Sequence, residues 1–193
     1  VIHPNPTNKL VIGDSHSICM YRPGWTVNSV PFKTLNGALK DGLKTFIPEG
    51  NYNEIELYFG NIDIRHHIVR LDVDIKELAD RYIEQAKELD AKIYELLPIE
   101  NESRKLPQSG YYKGKPFWGT WQERNDARNA FNDYIDSKYG IIRWTDKLLN
   151  AQGELDFDCM EKPKSIHLSR EHYPYWNGVE PDAMSQSLES FFG

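Results

Sequence analysis

Short apolar runs alternate along the chain with longer stretches in which apolar residues recur at helical spacing. Leu10-Val11-Ile12 reads as a buried strand stopped by Gly13, Ile55 to Phe59 as another stopped by Gly60, and Ala91 to Leu97 as a third stopped by Pro98. Ile141 to Trp144 predicts a fourth strand and Val27 to Phe32 a fifth. Between them, Ile75, Leu78, Ala79, Tyr82, Ile83, Ala86 and Leu89 share one helical stripe, with Asp74 and Glu77 spaced as a capping box at its start. Ala127, Ala130, Phe131, Tyr134 and Ile135 form a second stripe, with Gly140 as its stop. This alternation predicts an α/β protein: a three-layer α/β/α sandwich on a flavodoxin-like parallel sheet of about five strands. In such sheets ligands bind beyond the carboxyl ends of the strands, so the residues that follow each strand matter most.

The composition narrows the class. A chain of 193 residues suits one domain spanning residues 1–193. With 39% hydrophobic and 27% charged residues it sits near the globular average, which excludes disorder for most of its length. The apolar runs are too short to span a membrane and no apolar signal segment leads the chain, so a cytoplasmic protein without a membrane partner is expected. A net charge of −6 argues against a nucleic-acid coat and leaves room for a local basic site. Cys19 and Cys159 alone cannot build a disulfide framework.

Three segments carry candidate chemistry: Gly13-Asp14-Ser15-His16-Ser17 after the first strand, Gly60-Asn61-Ile62-Asp63-Ile64-Arg65-His66-His67 after another, and Ser165-Ile166-His167-Leu168-Ser169 near the carboxyl end. A serine hydroxyl is a poor nucleophile at neutral pH and needs a base within hydrogen-bond reach and donors for the oxyanion. A strand-to-helix turn exposes a serine and supplies unpaired amides together, and Ser15 has that location. Taken alone, Asp14 or Ser15 reads first as a helix cap after the strand.

In order and spacing these blocks resemble the GDSL-type (SGNH) hydrolase superfamily over roughly residues 9 to 175. The family's first block is a Gly-Asp-Ser-Leu-like turn; here it is Gly13-Asp14-Ser15-His16, with histidine in place of leucine. Its second centres on an oxyanion glycine, matched by Gly37 in Thr34-Leu35-Asn36-Gly37-Ala38. Its third, usually Gly-x-Asn-Asp, is Gly60-Asn61-Ile62-Asp63 and runs on to Arg65, which looks like a variant branch with a Gly-x-Ile-Asp-x-Arg block. Its last, Asp-x-x-His, is matched at His167, with Lys164 at the aspartate position. Glu123-Arg124 and Phe131-Asn132-Asp133-Tyr134 look like the superfamily's penultimate helix.

The resemblance implies Ser15 as nucleophile and His167 as base. The amides of Ser15 and Gly37, with Asn61 or Arg65, would hold the oxyanion, and Asp63 would brace its loop. An orienting acid for His167 could come from Glu161 or Asp158, or a backbone carbonyl could serve a Ser–His dyad. Arg65 has two readings: its planar fork binds an acyl oxygen, or it pairs with Asp63 or Asp14.

The histidines do not read as a metal centre, because the adjacent His66 and His67 of an extended segment point to opposite faces. No phosphate-cradling glycine loop is present, and no cofactor is implied. Between residues 98 and 121 the pattern has no period but carries Arg104, Lys105, Tyr111, Tyr112, Lys113, Lys115, Phe117, Trp118 and Trp121. Such an insert after a strand should overhang the rim that carries Ser15, where Tyr112 and Trp118 would meet a substrate, unless its aromatics simply cover the sheet edge. Aromatic faces among cations suit sugar rings, or less favourably a nucleic acid. The expected activity is removal of an O-acyl group from a polar, carbohydrate-like substrate. Alternatives are an acyltransferase using the same site on a sugar or modified-nucleotide acceptor, and an inactive binding module of the same fold.

Overall fold

The computed structural model describes residues 1–3, 8–101, 113–114, 118–161, 165 and 167–178. Strand β2 (Lys9–Asp14) lies at the centre, between β3 (Thr26–Val30) and β4 (Glu54–Tyr58), parallel to both. The register sets Asp14 opposite Val30 and Gly13 opposite Tyr58, so the strands end together at one rim. Strand β5 (Lys92–Ile93) extends the sheet in parallel beyond β4, and β1 (Ile2–His3) adds an antiparallel edge on β3. Tyr94 forms one further parallel bridge to Ile142. The parallel part thus follows the flavodoxin-like order, with reversal at β2.

Apolar residues on the strands are buried against both layers. On one side, helices α1 (Leu35–Asp41), α3 (Ile75–Glu88) and α4 (Trp121–Lys138) pack as one layer, with α2 (Asn61–His66) against α1 and α4. Asp74 caps α3 by accepting from the amides of Lys76 and Glu77, at 3.0 and 3.1 Å. Glu77 itself faces Arg81 one turn on. Thr120 and Glu123 close a full capping box on α4. On the other side, Glu56 and Tyr94 meet Arg22, whose guanidinium is stacked between Trp25 and Tyr175. That layer is built from the 3-10 turn Ser15–Met20 and the segment through Tyr173 to Trp176.

Several element boundaries differ from the pattern's expectation. The run from Ala91 to Leu97 keeps its burial but leaves the ladder after Ile93. Side-chain amides replace strand partners there: Asn132 Oδ1 accepts from Leu96 N and Asn61 Oδ1 from Leu97 N, both at 3.0 Å. Val27 to Phe32 ends at Val30, because Pro31 and Phe32 turn the chain. Ile141 to Trp144 contributes only the Ile142 bridge, since Glu95 takes the amides of Trp144 and Thr145. The inner face of α4 runs through Arg124, Ala127, Arg128, Phe131, Asn132 and Ile135, leaving Ala130 exposed. Arg128 donates to the Leu96 and Leu97 carbonyls and Asn132 accepts from the Leu96 amide, which offsets the cost of burying them. Among the described residues no helix is long and apolar enough to cross a membrane.

Candidate active site

Gly13 permits the close approach that starts the site: a Cβ there would lie 2.3 Å from the Tyr58 carbonyl oxygen and 2.6 Å from Ser17 Cβ. Asp14 then caps the Ser15–Met20 turn, accepting from the His16 amide at 2.9 Å. Ser15 is half-buried at the first position of the turn, while His16 through Met20 are buried.

From 152 positions further along the chain, His167 brings Nε2 to 3.1 Å from Ser15 Oγ. The local frame is a short antiparallel pairing: Met160 bridges Leu168, Glu161 N donates to the His167 carbonyl, and Ser169 N donates to that of Cys159. Ser165 Oγ accepts from the His167 amide at 3.1 Å and donates to Glu161 Oε1 at 3.3 Å. Asp158 is exposed, at the 3-10 turn Phe157–Cys159. Ser15 and His167 therefore meet by sheet topology on one side and a small bridge on the other.

The remaining block residues are braces. Asn61 is fully buried; its amide and its side-chain Nδ2 both donate to Asp14 Oδ2 at 3.3 Å. Asp63 accepts from the amides of Leu35 at 2.6 Å and Asn36 at 3.2 Å, holding the start of α1. Burial pushes the Asp63 carboxyl up to about 6, with nearby Asp14 adding to the rise and the two amides opposing it. Gly37 does not turn its N–H to the site, because that amide donates to the capping hydroxyl of Thr34 at 3.0 Å. Arg65 pairs with neither Asp63 nor Asp14. Its Nε binds both oxygens of Glu100, and its other nitrogens donate to the carbonyls of Asn61 and Pro98.

Cys19, one turn beyond Ser15, is buried, and burial, reinforced by Asp14, pushes its thiol well above the usual range. Trp118 is exposed with the Arg70 guanidinium 5.7 Å from its ring, and Tyr112 lies outside the described residues. His66 ends α2 and His67 follows it, in place of the extended segment expected, with ring centroids 6.4 Å apart and planes at 56°. Among the described residues no group of three or more potential metal ligands gathers.

From the sequence, His16 reads only as a departure from a motif and, with His66 and His67, as a weak metal-ligand candidate. Its ring Nδ1 lies 2.9 Å from Asp14 Oδ1, and its face is stacked on His167 at 4.9 Å between centroids.

No protein-family profile matches the sequence, and no curated protein matches it either. Solved structures do. A Streptococcus pneumoniae protein provisionally described as a platelet activating factor aligns at TM-score 0.58 and 19% identity, over 96% of this chain and 83% of that one. A GDSL-like lipase from Bacteroides thetaiotaomicron aligns at TM-score 0.53 and 12% identity, over 96% and 89%. A catalytic mutant of an acetylxylan esterase from Geobacillus stearothermophilus aligns at TM-score 0.56 and 11% identity, over 88% and 90%. The chain has the fold of the GDSL-type hydrolases.

Proposed function

We propose that this protein is an esterase-like serine hydrolase of the GDSL (SGNH) type that removes an O-acyl group from a polar, carbohydrate-like substrate. The observation that carries this reading is the 3.1 Å contact between Ser15 Oγ and His167 Nε2 at the carboxyl rim of the sheet. A serine capping a turn needs no imidazole at that distance. The acylated carbohydrate is the substrate class that the acetylxylan esterase of the same fold acts on.

In this mechanism Ser15 Oγ attacks the acyl carbonyl as its proton passes to His167 Nε2, and the carbonyl π pair moves onto oxygen. Gly37 and Arg65 donate elsewhere, and the amide of Ser15, first in its turn, meets that oxyanion. Collapse breaks the bond to the alcohol, which leaves with the proton held by His167. Water, deprotonated by the same imidazole, then releases the acyl group and restores Ser15.

The test is intact-mass analysis after exposure to a fluorophosphonate, on the wild type and on Ser15→Ala. A single adduct on the wild type, absent from the variant, is expected. A folded wild type that takes no adduct would overturn the reading.

A further inference from the structure

His16 is buried, and both of its polar contacts are to one carboxylate: Asp14 Oδ1 accepts from the His16 backbone amide and from ring Nδ1, each at 2.9 Å. Asp14 cannot drift, because Asn61 holds its second oxygen through two further donors. With Asp14 ionised, Nδ1 carries the ring proton. Nε2 of His16 is buried and has no hydrogen-bond partner among the described residues. Leaving such a group unmet disfavours the fold, a cost that leucine at this position would avoid.

What the ring provides is its face. The planes of His16 and His167 lie within 20° of each other, with centroids 4.9 Å apart. A histidine base must keep its Nε2 lone pair aimed at the serine proton, and a tilt of the ring takes it out of line. A flat neighbour fixed at its far edge by a carboxylate resists that tilt. When His167 takes up the Ser15 proton, the new cation also faces a polarised π system with an anion behind it.

We propose that His16, clamped by Asp14, is a positioning residue that holds the His167 imidazole in line with Ser15 by ring stacking. This rests on the reading of Ser15 and His167 as nucleophile and base. It gives the base a support that comes from the nucleophile's own turn.

Two variants separate the ring from its hydrogen bond. His16→Asn keeps a side-chain N–H for Asp14 and removes the stacked face; His16→Phe keeps a face and removes the N–H. Three readouts apply: thermal unfolding, the rate of fluorophosphonate labelling at Ser15, and the ring Cε1–H resonance of His167, assigned with His167→Gln.

The expected result is that His16→Asn unfolds near the wild-type temperature, moves the His167 resonance downfield as the ring current is lost, and labels slower by about tenfold or more. His16→Phe, where folded, labels within about threefold of the wild type because the plate remains. An unmoved resonance in His16→Asn overturns the proposal, as does a labelling rate that merely follows lost stability in both variants. A wild type that fails to label sinks the hydrolase reading alone, because the resonance still decides whether the stack positions His167.

Discussion

Arg65 and Glu100 form an ion pair sealed from water, with Nε 2.9 Å from one carboxylate oxygen and 3.1 Å from the other, and side chains 1% and 0% exposed. The pair ties the helix after β4 to the irregular segment after β5. Those two segments carry Asn61 and the Leu97 amide it accepts from, so the pair stiffens the floor on which Asp14 rests.

Removing one partner of such a pair leaves the other charge buried. Arg65→Met is therefore expected to cost about 3–5 kcal/mol, read by urea unfolding. The folded fraction should still label at Ser15 within a few-fold of wild type, since the Arg65 nitrogens bond Glu100, Asn61 and Pro98. A variant that folds normally and loses labelling would instead place the guanidinium in the chemistry.

Asp63 makes a pH prediction of definite sign. Its carboxyl titrates at about 6 in the folded protein because burial outweighs the two amides it accepts from. In the unfolded chain a carboxyl of this type titrates near ~3.9. Between these values the unfolded state has already released the proton that the folded state retains, so stability falls as pH rises from about 4 to about 6. The expected loss is on the order of 2–3 kcal/mol, constant above that window. Urea unfolding at several pH values, wild type against Asp63→Asn, isolates this group. Equal slopes in the two proteins would show that Asp63 does not titrate there.

That Ser15 and His167 would come together was legible because their signals are local: a glycine at a strand end, an Asp-Ser after it, and a His flanked by apolar residues. The helices α3 and α4 were legible because their stripes span several turns. Gly37 misled because Thr34 sits three residues before it, and that spacing makes a helix cap as readily as an oxyanion loop. The partner of Arg65 was out of reach, since Glu100 lies in a segment without period whose path depends on Asn61 and Asn132 side chains taking backbone amides. The His16 stack was hidden for a similar reason, as periodicity assigns faces and says nothing of which rings meet across 151 residues of chain.

Gly13 should tolerate no side chain. The nearest atom to an added Cβ is the backbone carbonyl oxygen of Tyr58, at 2.3 Å, which cannot swing aside as a side chain could. Gly13→Ala must then push β2 from β4 directly before Asp14 and Ser15. A destabilisation of about 1–3 kcal/mol is expected, with slower phosphonate labelling of the molecules that fold. Retained stability and retained labelling would mean that the two strands part there more easily than their packing implies.

Phe32 offers a gain of stability. It is 65% exposed and holds a positive φ of 61° in the turn closed by the Lys33 amide on the Val30 carbonyl. Following Pro31, this is the turn position at which glycine is favoured. A non-glycine residue there costs about 1–2 kcal/mol, and glycine returns about 0.5–1 kcal/mol of that through the entropy of the unfolded chain. Phe32→Gly is therefore expected to stabilise the protein by about 0.5–1 kcal/mol, a rise of roughly 1–4 °C in Tm. Strain of this kind is kept at functional sites when a side chain is needed outside the protein. Phe32 stands just past the end of β3, whose Val30 is in register with Asp14. Ester turnover by Phe32→Gly, measured beside its Tm, separates the two cases: unchanged turnover in a more stable protein makes the strain incidental, and a raised KM makes Phe32 part of the rim that receives the substrate.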